Sequence, residues 1–443
     1  MIEILKTPSQ IVQNKITLWL NHLLVLYTFL ISINNNAKSS LFFVILVLFL
    51  YRRDYIKYTK EVFSNKIVQA CLLFYAINAF GMLYTDNIEY GNDHMDRVKY
   101  LLFPLIFLSF LDIRFVKRII AACILGMFVS ISFSYLVHLG IFPYELSIGK
   151  YEIWKTFAYS PAPFLSHGEH GVGIALVIAF LFYYILNIKD NFVWNKVIAT
   201  SMILIALINM SFIASRTGYM TLIGVIVITV LLTYKENIKY LVISLFLFFI
   251  ACFLLYSFST TVNLRVDRAI DNFEKGMTSK KFYENGSTAQ RIGLTLYSME
   301  VIKENPIFGV GTGDHMDELR KRIPEEEKRL REISKPHNLY VQIPMQIGIF
   351  GSLSFIYLIY IIYSYKNTTR EKKDILIIMT TAVLVFMAGG MLYGTFELPL
   401  FMVIITAMIA TKTQNIEVKP IDRYLMLKYL GWIVLFLIIG ITR

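Results

Sequence analysis

Apolar residues in this chain fall in long unbroken runs, parted by polar segments. The runs cover roughly 16–33, 38–51, 67–84, 98–112, 115–138, 170–187, 193–213, 217–233, 239–257, 338–363, 374–392, 396–411 and 424–441. A helix needs about 20 such residues to cross ~30 Å of hydrocarbon. Only helices and closed barrels satisfy their backbone groups there, and the runs do not alternate with a period of two, so they predict helices. The runs 38–51 and 98–112 are short and are expected to lie half-buried or tilted. The run 424–441 is an optional last span. The pattern predicts an all-α polytopic membrane protein with about twelve or thirteen transmembrane helices.

One segment breaks the rhythm. Residues 258–336 are polar, follow nine spans, and form a large helical loop between an N-terminal bundle, 1–257, and C-terminal transmembrane helices, 337–443. Within the loop, Ser287 and Gln290 have the spacing of a capping box. Ile292, Leu296, Met299 and Ile302 make one stripe of a helix that stops before Asn305-Pro306. The sequence NPIFGVGTGD follows as a glycine-rich turn. Pro324 then opens a helix with acids first (Glu325, Glu326, Glu327) and bases later (Lys328, Arg329, Arg331), the order a helix dipole favours. A second polar stretch, 139–169, is rich in aromatics and ends in LSHGEHG.

Composition agrees: 56% of the 443 residues are hydrophobic, and the mean hydropathy is +0.58. The net charge of +12 would fit a nucleic-acid partner, but its placement excludes that reading. Short loops on one side hold Arg52, Arg53, Arg114, Arg118, Lys189, Lys235, Lys366, Arg370 and Lys372, among others. Those on the other side hold far fewer bases, and TDNIEYGNDHMD is acidic. This is the positive-inside pattern, with the N-terminus and the basic loops inside and the 258–336 loop outside. Residues 1–15 are polar and the first apolar run is too long for a cleavable signal peptide. Cys71, Cys123 and Cys252 lie within apolar runs and are expected to be buried thiols.

Candidate chemistry gathers at the outer face. Arg216, in IASRTGY, sits where two spans meet; it either snorkels to lipid headgroups or grips a lipid-linked phosphate with a fork that lysine lacks. Arg291 lies near the start of a loop helix and is either a solvated arginine or a second grip. Ser334-Lys335-Pro336-His337-Asn338 has the look of a helix start, with Ser334 as cap and Pro336 in the first turn. His337 would then sit at the positive end of a helix, where a neutral imidazole is favoured, and a neutral imidazole can accept a proton. It is equally a histidine of the headgroup zone. His167 and His170, with Glu169, lack the H-E-x-x-H spacing and a third ligand, so they are expected to touch sugar or phosphate or simply the interface, not a metal. Lys99 and Arg97 open the fourth span, as topology markers or as further cations for a diphosphate. GVGTGD lacks the G-x-G-x-x-G spacing and any βαβ context, which excludes a nucleotide fold.

Three segments, ASRTGY, QRIGLTLYSMEVIKENPIFGVGTGD and PHNLYVQIPMQIGIFGSL, occur in an order that resembles the O-antigen ligase family. Its relatives include O-antigen polymerases and protein O-oligosaccharyltransferases. The HN-L-Y…IG-I-G element is the most specific, and the motifs cover roughly 210–355. The resemblance implies a GT-C-type architecture with a large periplasmic loop in the inner membrane. It implies Arg216, Arg291 and His337 as the active site, with Lys99 as a further phosphate-contacting cation; SHGEHG has no counterpart in it, and Arg97, Asn338, His167 and His170 are candidate substrate contacts from their positions alone. It also implies transfer of an undecaprenyl-diphosphate-linked glycan to a sugar hydroxyl of lipid A core, with inversion and without metal or cofactor. A polymerase would use a second lipid-linked glycan as acceptor; a protein transferase would use Ser or Thr. A lipid-linked glycan flippase is the non-enzymatic alternative, although ion-coupled transporters place ionisable groups near the midplane and these spans carry almost none there.

Overall fold

The computed structural model describes residues 7–158, 160–187, 192–213, 215–258, 260–279, 281–366, 368–390 and 393–442. Its helices are α1 (Gln10–Leu30), α2 (Asn35–Arg52), α3 (Tyr55–Ser64), α4 (Lys66–Gly81), α5 (Ile88–Val98), α6 (Phe103–Phe107), α7 (Val116–His138), α8 (His167–Asn187), α9 (Val193–Phe212), α10 (Arg216–Tyr234), α11 (Ile238–Phe258), α12 (Thr260–Ser279), α13 (Gly286–Glu304), α14 (His315–Arg322), α15 (Lys328–Arg331), α16 (Leu339–Ser364), α17 (Arg370–Met387), α18 (Glu397–Ile409) and α19 (Arg423–Ile441). A small hairpin, β1 (Glu145–Ile148) and β2 (Tyr151–Lys155), stands in the 139–169 stretch. Among the described residues, eight helices are long and apolar enough to cross a membrane: α4, α7, α8, α9, α10, α11, α16 and α19. The chain is an all-α multi-pass membrane protein.

Polar caps mark many of the helix starts. Asn34, Asn65, Asn87, Ser215, Asn338, Thr369 and Asp422 each accept a hydrogen bond from a first-turn amide of the helix they open. An apolar run with such a residue at its head satisfies one of the four amides a helix start leaves free. The remaining runs make shorter or more polar elements. All 13 residues of α18 are buried, so it is enclosed by protein and need not match the width of a bilayer.

The run 98–112 departs from expectation. It is a 3-10 turn at Lys99–Leu102, the five-residue α6 and a turn, not one span. Pro104 supplies no amide to a ladder. Phe103, Phe107 and Phe110 are buried, and the first two pack on Tyr27 and Phe42, so this irregular backbone is shielded by protein, the one setting where hydrocarbon depth tolerates it.

Basic loops gather at one end of the bundle. Arg52 is buried there, donates to Ser109 O at 3.1 Å, and pairs with Asp54. Arg114 pairs with Asp112 and reaches Gln414 O at 3.0 Å, while Lys372 donates to Ala410 O at 2.7 Å. Lys189 lies outside the described residues. Cys71 and Cys123 are buried, and Cys252 is partly so.

At the opposite end, the glycine-rich turn is keyed into α16. That helix breaks at Ile347 and Gly348, which leaves carbonyls of the preceding turn without helical partners. Val310 N donates to Met345 O at 2.8 Å, Gly311 N to Gln346 O at 3.0 Å, and Ile349 N to Pro306 O at 2.9 Å. Gly348 has φ +57°, and a Cβ there would overlap Ile307 O. The turn is thus a structural lock between loop and span. Gly348→Ala is expected to cost about 1–3 kcal/mol from backbone strain alone, read as a lower thermal midpoint of the detergent-solubilised protein. An unchanged midpoint would rule out the lock.

Three local expectations change. The capping box at Ser287 does not form, because α13 starts at Gly286 with Asn285 at the cap position; Gln290 donates to Tyr283 O instead. The helix after Pro324 is a 3-10 turn and the single turn α15. Of the run 374–392, α17 covers the part to Met387, and Met391 and Leu392 lie outside the described residues.

Candidate active site

Two close crossings bring distant segments to one place. α8 and α10 touch at Gly171 and Gly218, where a Cβ on Gly218 would lie 2.8 Å from the Gly171 Cα. Small residues let such backbones approach. The first turns of α8 and α10 therefore face each other, with His167 on one and Arg216 and Thr217 on the other. The loop helix α13 lies over them. Arg216 Nη1 donates to Thr288 Oγ1 at 2.5 Å and Ser287 Oγ at 3.2 Å, so the arginine at a span start is tied to the start of α13.

One turn along, Arg291 projects toward the end of α17. A Cβ on Gly389 would lie 3.0 Å from Arg291 Nη1 and 2.9 Å from Thr217 Cγ2. Burial, and then the Arg216 charge, push the Arg291 guanidinium below its ordinary value. Two like charges are thus held together. Among the described residues no carboxylate forms an ion pair with either.

His337 arrives from the other side. Asn338, not Ser334, caps α16: its side chain accepts from Tyr340 N at 3.1 Å and donates to Thr295 Oγ1 on α13 at 3.3 Å. Pro336 precedes the helix, and His337 sits just outside it with φ +53°. That left-handed backbone is rare for a histidine and costs of order 1–3 kcal/mol, a strain that clusters at functional sites. Burial, then the Arg291 and Lys335 charges, hold the His337 pKa below the ordinary histidine value, as the helix-start argument anticipated by a different route.

Of these groups Arg291 lines a cavity of about 320 Å3, together with Phe273, Thr288, Ile292, Thr295, Leu296 and Ala388. Thr288 is the residue Arg216 holds, and Thr295 the one Asn338 holds. The cavity therefore has a polar wall, with a guanidinium and two hydroxyls, and an apolar wall of Phe273, Ile292 and Leu296.

The other sequence candidates divide. His167 is exposed and within electrostatic reach of Arg291 and Glu169, so it joins the cluster. His170 does not: it is fully buried, with one ring nitrogen 3.1 Å from Ser130 Oγ and the other 3.0 Å from Asn209 Oδ1, and it braces α7, α8 and α9. Lys99 is exposed and paired with Asp96 at 2.9 Å, and Arg97 is paired with Asp93 at 2.7 Å; neither lines the cavity. Arg97 nonetheless acts electrostatically on Lys335. Among the described residues no three His, Cys, Asp or Glu side chains converge as a metal-binding group.

Sequence reasoning missed several contributors. Thr288, Thr295 and Gly389 carry no signal of their own, because their importance is a matter of who faces them. Lys335 was visible beside His337 but unassigned. Lys38 is 1% exposed, in the first turn of α2, within reach of Glu169 and the buried Glu397. An ionisable residue entering an apolar run was the available signal there.

Residues 202–356 match the family model described as O-antigen ligase. The matched stretch runs from α9 into α16 and contains Arg216, Arg291 and His337, of which Arg291 lines the cavity and the other two lie within electrostatic reach of Arg291. No curated protein matches the chain. The similarity to the O-antigen ligase family thus extends over residues 202–356.

Proposed function

We propose that the cavity beside α13 is the active site of a glycan ligase that uses a lipid-diphosphate donor. The observation that carries this reading is the convergence of Arg216 and Arg291, two arginines that pair with no carboxylate among the described residues, with His337 in strained backbone. Unpaired guanidiniums held together are suited to a polyanion, and their forks match phosphate oxygens two at a time. As an acceptor hydroxyl attacks the anomeric carbon, its C–O bond forms and the sugar–phosphate bond breaks. The proton passes to the neutral His337 imidazole, and the diphosphate leaves against Arg216 and Arg291, which stabilise its growing charge. A single displacement inverts the anomeric centre. The donor is read as an undecaprenyl-diphosphate glycan and the acceptor as a lipid A core sugar, in a GT-C-type bundle of the inner membrane.

Reconstitution of the purified protein with a polyprenyl-diphosphate glycan and lipid A core tests the reading. Covalent transfer to the core supports it. Transfer only to a second lipid-linked glycan would favour a polymerase, and no transfer to any acceptor would remove the enzyme reading.

A pH profile gives a separate check. The base must be neutral, so the rate falls as pH drops through the His337 pKa. Because that pKa lies below the ordinary value near 6.5, the acid limb is expected below pH 6.5, with activity sustained at neutral pH. An acid limb centred above 7 would contradict the assignment.

Orientation is tested by single cysteines. The lysine and arginine asymmetry supports a periplasmic side for the loop and α13. Ser279→Cys should label with an impermeant thiol reagent on intact spheroplasts, and Lys366→Cys should not. Equal labelling would overturn the topology.

A further inference from the structure

The residue pattern of α12 has no use in the chemistry above. Val266, Ile270, Phe273 and Met277 recur at four- and three-residue spacing, so they form one stripe of the helix. They are 39%, 53%, 51% and 50% exposed. Arg268, Asp271 and Lys275 lie on the opposite side, and Asp267 and Glu274 flank the stripe. α12 packs on α13 where Gly276 meets Ala289, their Cβ positions 2.7 Å apart if the glycine carried one. The apolar stripe is therefore left open beside the contact, not used up by it. It enters the cavity at Phe273, where it meets Ile292 and Leu296 of α13. Leu296 and Met299 extend it along α13, 41% and 45% exposed.

The cavity and the stripe thus make a continuous surface with one cationic end and one long apolar end. At the cationic end Arg291 is the charged lining residue, flanked by the hydroxyls of Thr288 and Thr295. α11, none of whose described residues is buried in its most apolar stretch, precedes α12, and Ala388 just after α17 lines the cavity. The groove so begins where α11 and α17 finish.

We propose that the α12–α13 groove holds the hydrocarbon chain of an isoprenoid diphosphate, with its phosphates at Arg291 and its first isoprene units along Phe273, Ile292, Leu296 and the α12 stripe. The inference rests on the lipid-diphosphate reading of the same site and adds where the lipid runs: over the loop helices, before it enters the bilayer. A ligand with an anionic head and no chain would leave the stripe bare. A neutral lipid would leave Arg291 without a counter-charge in a half-buried site, which is costly.

Photolabelling tests it without requiring turnover. A diazirine-bearing isoprenoid diphosphate without glycan is incubated with the full-length protein in nanodiscs, and labelled peptides are sequenced. Label on 266–277 and 292–299 is expected, reduced several-fold by Ile270→Asn with an unchanged thermal midpoint. Label confined to the membrane helices would overturn the proposal, as would equal competition by phosphatidylglycerol, which would mark the groove as a general lipid surface. A kinetic arm compares donors with long and three-unit chains: Ile270→Asn should raise KM for the long-chain donor about ten-fold more than for the short one. Equal increases would also overturn it. Specific groove labelling without glycan transfer would keep the lipid site and sink the transferase reading instead.

Discussion

Replacing His337 with asparagine should lower glycan transfer by about 10²–10⁴-fold, the usual contribution of a positioned general base. Asparagine is the informative choice. It accepts left-handed backbone readily, so φ +53° at this position is no obstacle to folding. It cannot take up a proton near neutral pH. The loss should therefore appear in turnover, with the thermal midpoint unchanged and labelling by an isoprenoid diphosphate retained, because the donor's phosphates are assigned to arginines. His337→Ala should lose as much transfer and also some stability, from the strain of the left-handed backbone. Near-normal turnover in the asparagine variant would remove His337 from the base role.

Arg291→Lys should be almost as damaging, by about 10²–10³-fold, although it keeps the charge. Its guanidinium pairs with no carboxylate among the described residues, lies near Arg216, and is backed by Gly389 at the end of α17. A lysine there keeps a point charge but loses the planar fork that holds two phosphate oxygens. Both donor affinity and turnover should fall, which separates this variant from His337→Asn. Gly389→Ala gives a graded version of the same effect, since its methyl would press on Nη1 from 3.0 Å and displace the guanidinium without removing it. If Arg291→Lys binds and turns over donor normally, the cavity is not the diphosphate site.

The two substitutions probe groups that come from separate parts of the chain. Arg291 is held by α13, and His337 by the Asn338 cap of α16; the link between them is the Asn338–Thr295 hydrogen bond. Loss of that bond in a Thr295→Val background would loosen the pair. The site therefore depends on how the loop sits on the bundle as much as on the residues it contains.

The sequence by itself determined the membrane character and the long apolar helices, eight of which are long and apolar enough to cross a membrane among the described residues. Hydrocarbon imposes a length and a composition on any helix that crosses it, so those features are written locally, in the apolar runs. Arg216, Arg291 and His337 are nominated for the proposed site by the order of their motifs. Tertiary structure decided what local pattern does not encode. The run 98–112 has the apolarity of a span, but Pro104 and burial among aromatic neighbours make it a broken re-entry in protein surroundings. His170 and His167 are near-neighbours in one motif, yet the helix turns one into the packed core and leaves the other at the site. Lys99 has the position of a phosphate contact and spends its charge on Asp96. The glycines of NPIFGVGTGD and IGIFG are far apart in sequence and indistinguishable from ordinary turn residues until one is seen to fill the break in the other's helix. The physical reason is common to all four. Hydrophobic periodicity reports which medium a residue faces, whereas a hydrogen-bond partner or a close backbone contact depends on which other segment occupies that medium, and that is settled only when the helices pack.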